Sequence, residues 1–287
     1  MFHGIVIAKG HLRLFIMLHT IKSALNANLR GISLISNNIA NSNTTAFKKS
    51  NSNFSDIYST TVNTGPNTFA GMGVTNDEPR KQMNQGSLKA TGGALDLAVS
   101  GLGFFTLTNK VDIQKPYFTR DGSFQLLKNG EVVNSDGLNL MAHKVDETGT
   151  FNPFAIQQVV IPPIKNVKGK KLFLSNVNVS PSGVLKAIYG LDTEEVIAKI
   201  PLASFEDSPK LKTEGNNLYR SSPGSGTPSY GLPVDGTYGE IAAGFLETSN
   251  VKITDELVQM IRFQQAFTGN SRLLQTEMDV TSKLLNR

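Results

Sequence analysis

With 287 residues, 39% of them hydrophobic and 18% charged, the chain can bury one large core or two modest ones, and its composition does not suggest a membrane protein. Twenty-eight basic against twenty-three acidic side chains leave +5 without a long like-charge block. The densest basic stretch, Lys165, Lys168, Lys170 and Lys171, lacks an interleaved aromatic platform, so it reads as a solvated loop rather than a nucleic-acid surface. No cysteine is present, which excludes disulfides, thiol catalysis and thiolate metal sites.

Residues 1–16 mix Lys9 and Arg13 into apolar side chains, without an unbroken apolar run or an A-x-A site. They read as an upstream extension before a natural start at Met17, not as a cleaved signal or a membrane insertion. From Met17 a heptad pattern places Ile21, Leu25, Ile32, Ile35 and Ile39 on one face, flanked by Leu18 and Leu29, with gaps at Asn28 and Gly31. The run Asn41-Ser42-Asn43-Thr44-Thr45 ends the helix, and Phe47 and Phe54 are expected as buried anchors of a polar connector. Asn37, Asn38 and Asn41 are assigned to hydrogen bonding between the helix end and that connector. The Thr-, Asn- and Gly-rich stretch from Thr60 to Asp77, with Pro66, reads as an extended linker.

Residues 78–235 are β-rich. Leu95, Leu97 and Val99 alternate with Asp96 and Ala98, and a strand resumes at Phe104 to Thr108. Asp121-Gly122, Asn129-Gly130 and Asp136-Gly137 mark turns, the first two joining Tyr117 to Arg120, Ser123 to Leu127 and Glu131 to Asn134 as hairpins. Further strands are expected at Phe154 to Ile161, Leu172 to Val179, Val184 to Tyr189 and Val196 to Ala203, and Ser221 to Pro233 reads as linker.

The last element is a long helix over Ile253 to Arg287, with Thr254 as N-cap and Asp255 and Glu256 in the first turn. Ile253, Leu257, Met260, Phe267, Leu274, Met278 and Leu285 keep an alternating three-and-four spacing. Gln264, Ser271 and Thr281 interrupt this seam, and Gly269 sits mid-helix. The fold expected is therefore α+β: paired long terminal helices, a coiled coil of residues 17–45 with 253–287, bracketing a mainly antiparallel β domain of residues 78–235. A connector of residues 46–77 with 236–252 joins them. A seam with such gaps wants partners, which makes Leu25, Ile32, Ile35, Ile39, Leu257, Met260, Phe267, Leu274 and Met278 the candidate subunit-packing residues.

Chemistry is sparse. Gly101-Leu102-Gly103 lacks the third glycine of a dinucleotide loop, and Gly224-Ser225-Gly226 lacks the spacing of a nucleophile elbow. His3, His11, His19 and His143 have no ligand spacing. Two of Asp96, Asp121, Asp136 and Glu131 could converge as acid and base of a hydrolase. A turn role for Asp121 and Asp136 and an outward strand position for Asp96 explain them better, so no catalytic residue, metal or cofactor is assigned.

Four ordered stretches carry a resemblance. They are Ile35-Ser36-Asn37-Asn38-Ile39-Ala40-Asn41-Ser42-Asn43-Thr44 running into Phe47-Lys48-Lys49-Ser50; Gln85-Gly86-Ser87-Leu88 with Ala94-Leu95-Asp96-Leu97-Ala98-Val99-Ser100-Gly101-Leu102-Gly103-Phe104-Phe105; Tyr117-Phe118-Thr119-Arg120-Asp121-Gly122-Ser123-Phe124; and Gly244-Phe245-Leu246-Glu247-Thr248-Ser249-Asn250-Val251. Together the chain resembles the bacterial flagellar rod and hook axial proteins. The resemblance implies a non-enzymatic subunit whose terminal helices line the inner tube of a helical homo-oligomer and whose β domain forms its wall. It also implies torque transmission, an export channel, passage through the flagellar type III export apparatus, and neighbours among other axial, hook cap and junction proteins.

Ala46 departs from the family, which usually has glycine there, so a positive φ is at stake. The short segment from Phe54-Ser55-Asp56 to Gly71-Met72-Gly73-Val74 resembles hook proteins, whereas the single β domain resembles the distal rod. Hook is placed first and distal rod second, at the extracellular hook or the periplasmic basal body. A secreted β-rich binding or adhesion module is the alternative of another class.

Overall fold

The computed structural model describes residues 2–59, 70–110, 115–145, 151–167, 170–190 and 193–285, with side chains in the first helix described from Met17 onward. Residues 60–69 of the expected linker, His3, His11 and Leu285 as side chains, and Lys168 lie outside this description. The chain divides into two compact units: residues 1–42, 49–82 and 251–287 in one, residues 43–48 and 83–250 in the other. The two segments expected to form one connector are thus shared between units, with 49–77 in the helical unit and 236–250 in the β unit.

In the helical unit, α1 spans Phe2–Ala40, beginning ahead of Met17, and α2 spans Ile253–Leu285. The short strands β1 (Ser50–Asn51) and β4 (Arg80–Lys81) pair, as do β2 (Phe54–Ser59) and β3 (Ala70–Asn76). Part of the expected linker is therefore strand. Its register holds because Val74 N–H donates to Ser23 Oγ on α1 at 3.1 Å, and Gly73, at φ +107, lies against the same serine. Phe54 is 41% exposed rather than a buried anchor, its ring tilted against Phe263 at 6.0 Å.

The β unit holds β5 (Leu88–Ala90), β6 (Leu97–Ser100), β7 (Phe105–Thr108), β8 (Tyr117–Thr119), β9 (Gln125–Leu126), β10 (Val132–Val133), β11 (Asn139–Val145), β12 (Phe151–Gln158), β13 (Ile164–Val167), β14 (Lys170–Val179) and β15 (Val184–Tyr189). It continues with β16 (Thr193–Lys199), β17 (Leu202–Ser204), β18 (Lys212–Gly215), β19 (Leu218–Arg220), β20 (Ser229–Gly231), β21 (Glu240–Ala243) and β22 (Phe245–Glu247). Twelve strands form one sheet along β13-β14-β15-β16-β11-β7-β8-β19-β18, with β12 and β10 also on β11 and β9 on β10. The pairings of the named strands are antiparallel, as expected. Alternation explains the core: in β15, Leu185, Ala187 and Tyr189 point inward and meet Leu107, Leu140, Ile161, Ile200 and Leu202.

Three turn and linker expectations need correction. Asn129-Gly130 does join β9 to β10 and Asp136-Gly137 joins β10 to β11, but Asp121-Gly122 makes no hairpin, because β8 pairs with β7 and β19 instead of β9. The reason is local. Asp121 Oδ1 accepts from Ser123 N–H and Oγ, and Gly122 O accepts from Leu97 N–H, so the turn is tied to β6. Within Ser221 to Pro233, β20 pairs with β17, and the expected strand Val196 to Ala203 breaks at Ile200-Pro201 into β16 and β17.

Candidate functional site: a motif junction and a two-faced helix

Residues 43–48 of the first motif stretch and the other three stretches up to Asn250, far apart in sequence, meet in the β unit. The chain leaves α1 through a turn that ends at Ala46, whose φ of 54 is the left-handed value implied by the family's glycine. Its methyl group is fully buried, and its N–H donates to Glu247 O at 2.8 Å. Lys48 follows, 1% exposed, with Nζ 2.5 Å from Glu247 Oε1 and 2.8 Å from Asn84 O. Gly86 N–H donates to the same carboxylate oxygen at 2.8 Å, and a Cβ there would stand 2.0 Å from Thr248 O, so only glycine fits. Arg120 closes the cluster, Nη1 3.6 Å from Glu247 Oε2 and its guanidinium over the Phe104 ring at 5.1 Å.

Two cations and one anion are thus enclosed. Burial pulls the Lys48 ammonium below its ordinary value despite Glu247, and burial likewise lowers Arg120. Burial first and the Glu247 charge second push the Tyr219 phenol well above the usual range. Backbone bonds complete the crossing. Thr248 N–H donates to Ser87 O at 2.8 Å, Asn250 N–H to Phe47 O at 3.3 Å, and Asn217 Nδ2 to Thr45 O at 2.8 Å. Phe47 is buried, as expected of an anchor.

In the helical unit, Asn38 is the buried member of the asparagine trio: Nδ2 donates to Glu256 Oε2 and Ser50 O, and Oδ1 accepts from Ser50 N–H, each at 3.0 Å. Lys49 Nζ reaches Glu256 Oε1 at 3.3 Å. Asn41 Nδ2 caps Asn37 O at 3.0 Å, while Asn37 itself is exposed. Glu256, read from sequence only as a first-turn acid, is the residue that sequence reasoning missed here. Its spacing, four before Met260, was the available signal.

The helix pair uses a face of α2 that overlaps the expected one only in part. Its less exposed positions are Glu256, Met260, Phe263, Phe267, Asn270, Ser271, Leu274, Glu277 and Thr281, a four-and-three series with Ser271 beside it. Met260, Phe267 and Leu274 belong to both readings, but Leu257 and Met278 are 46% and 60% exposed. On α1 the innermost positions are Ala27, Gly31, Ile35 and Asn38, with Leu25, Ile32 and Ile39 half-buried. The shift has a steric cause: a Cβ on Gly31 would stand 2.7 Å from the Phe263 ring, so the glycine makes room and Phe263 turns inward.

No group of three metal-ligating side chains exists among the described residues. Three of the four candidate carboxylates have a structural engagement. Asp121 ties its turn, Asp136 accepts from Asn134 and Asn216, and Glu131 pairs with Lys110, while Asp96 is half-buried with its backbone bridged to Ser123. His143 is buried with Nδ1 3.2 Å from Ala155 O, and His19 is exposed.

Comparison with known proteins now bears on this geometry. Residues 18–48 match the family model described as flagella basal body rod protein, 98–187 the flagellar hook protein FlgE/F/G D1 domain, and 242–287 the flagellar basal body rod FlgEFG protein C-terminal region. The flagellar basal-body rod protein FlgG of Buchnera aphidicola subsp. Baizongia pistaciae is 32% identical over 275 residues, covering 92% of this chain and 96% of that protein. The chain belongs to the flagellar rod and hook axial protein family. FlgG of Bacillus subtilis is 30% identical, covering 89% and 92%. The flagellar hook protein FlgE of Brucella abortus is 22% identical, covering 95% and 99%. Among solved structures, Helicobacter pylori flagellar hook protein FlgE2 matches 47% of this chain and 39% of that one, at 15% identity and a TM-score of 0.24. The family's terminal matches end on Lys48 and include Glu247, the two ends of the buried ion pair.

Proposed function

We propose that this axial subunit is a flagellar rod protein of the distal-rod type, polymerising with copies of itself into the periplasm-spanning tube of the basal body. The observation that carries this reading is the end-to-end match to a rod protein, 96% of whose length is covered at 32% identity. The hook reading, first on sequence alone, now stands second. Its alignment runs over 400 residues, longer than this chain, so that hook protein carries insertions absent here. Neighbouring axial proteins, hook cap and junction proteins and the type III export apparatus follow as partners of either reading.

The packing residues separate into two roles. Met260, Phe267 and Leu274, with Leu25, Ile32, Ile35 and Ile39, hold α1 and α2 together within one subunit. Leu257 and Met278, joined by the exposed Ile253, Val258 and Ile261, form the surface for other copies. Substituting Ile261→Asp or Leu257→Asp is expected to leave monomer helicity unchanged while abolishing filaments in sedimentation and negative-stain microscopy. Leu274→Asp, by contrast, should also loosen the helix pair. Normal filament yield from both outward variants would sink the assignment, and strongly curved wild-type filaments would favour hook over rod.

A further inference from the structure

Among the described residues, the three most exposed large apolar side chains are Phe173, Val234 and Leu102, at 66%, 63% and 61%. All three belong to the β unit and none to its core. Two of them stand together. Leu102 is the one side chain in Gly101-Leu102-Gly103, whose glycines hold φ of 115 and 134. Val234 is β-branched yet holds φ 68, a strained conformation that burial cannot explain. Gly239 ties the two loops to each other: its N–H donates to Leu102 O at 2.8 Å, and its O accepts from Val234 N–H at 3.2 Å. Asp235 follows Val234, Glu240 pairs with Ser100 just ahead of Gly101, and both carboxylates are exposed. This end of the unit is apolar with an acidic rim.

Phe173 marks a second end. In β14 it lies opposite Ile164 of β13, also exposed, and the pair shares its face with Asn166 and Lys171. On the β15 side Gly190 N–H donates to Phe173 O at 3.0 Å, so that neighbour has no side chain to cover the ring. Lys165 already pairs with Glu195, whereas Lys171 is exposed, and Lys170 precedes it in the chain. This end is apolar with a basic rim. The β14–β15 hairpin holds the two apart: Gly183 at its turn lies against Pro233, and Gly190 at its far end lies beside Phe173. The 6 residues of β15 between them set a separation of roughly 20 Å.

We infer that these ends are mates, the Leu102–Val234 end of one copy docking on the Ile164–Phe173 end of a second copy, β unit to β unit. A second copy is the occupant because each end carries the charge that the other lacks around a matching apolar centre. Since the two surfaces differ and lie apart, the contact is heterologous and repeats from copy to copy instead of closing as a two-fold pair. The inference rests on the self-assembly reading above and adds to it a contact outside the terminal helices.

The absence of cysteine makes the test direct, because Leu102→Cys and Phe173→Cys introduce the only thiols, both at exposed positions. A short bis-maleimide cannot join them within one chain. The full chain carrying both should give a ladder of covalent multimers. Either substitution alone should leave the chain largely monomeric, and an equimolar mixture of the two single variants should stop at dimers. Reversing the acidic rim with Asp235→Lys and Glu240→Lys should cut the multimer yield about tenfold, and adding Lys170→Glu and Lys171→Glu should restore it. The contact is overturned if the double-cysteine chain gives no more multimer than the single variants, if the yield ignores the charge reversal, or if the compensating reversal fails to restore it. Filaments of the unmodified chain without a ladder overturn this contact alone, whereas a ladder without filaments supports it and overturns the axial reading instead.

Discussion

At Ala46 two opposing effects of similar size meet. An L-residue in the left-handed region is strained by about 1–2 kcal/mol, which glycine would relieve. Glycine would in turn lose about 0.5–1 kcal/mol through its freer unfolded state and about 0.8 kcal/mol of methyl burial. Because that methyl group is fully buried, the terms nearly cancel, and Ala46→Gly should shift the urea midpoint of the β unit hardly at all. Ala46→Val has no such compensation. A branched Cβ at φ 54 in a closed site should cost roughly 2 kcal/mol or more, visible as an earlier midpoint with unchanged slope. The sequence exposed half of this: alanine at a position where glycine usually stands points to a positive φ, but nothing in it tells that the methyl group is enclosed.

The two mid-helix glycines look alike in sequence and differ in the folded elements. Gly31 is where Phe263 enters, so Gly31→Ala gains helix propensity but drives a Cβ into the ring, and the helix pair should lose about 1–3 kcal/mol. Gly269 has nothing within 4 Å of a built Cβ. There Gly269→Ala should stabilise the monomeric helix by about 1 kcal/mol, measured as a raised melting midpoint at 222 nm. If Gly269→Ala instead impairs filaments while stabilising the monomer, the open face at Gly269 is a contact between copies. The same pair shows why the seam was only partly legible. α2 carries two overlapping apolar stripes, one through Leu257, Met260 and Met278, the other through Met260, Phe263 and Phe267, and period alone cannot choose between them. The choice is made on α1, by a residue with no side chain. The hairpin expected at Asp121-Gly122 failed for a related reason: turn chemistry was read correctly, but the strands on either side found other neighbours.

At the scale of the whole chain, the bracketing helices, the antiparallel β unit and the family were readable because each rests on patterns spread over many residues. The Lys48–Glu247–Arg120 cluster was not, since its members lie up to 199 positions apart and each resembles an ordinary surface charge. The division into two units sets up the last expectation. The β unit encloses Leu97, Phe105, Leu107, Leu140, Leu185, Ile200 and Leu202 completely, whereas α2 covers little more than one stripe and leaves most of its side chains in solvent. Helical stability depends on packing of that stripe, so the helices should melt first and the β unit later. In a thermal scan the signal at 222 nm should fall before the near-ultraviolet signal of buried Tyr189 and Tyr219. If copies associate through the outward face of α2 alone, only the first transition should rise with protein concentration, because only the helices then gain surface on assembly. A single transition, or two that are both insensitive to concentration, would mean that the terminal helices are already complete within one subunit, and the assembly role given to Leu257, Ile261 and Met278 would have to be withdrawn.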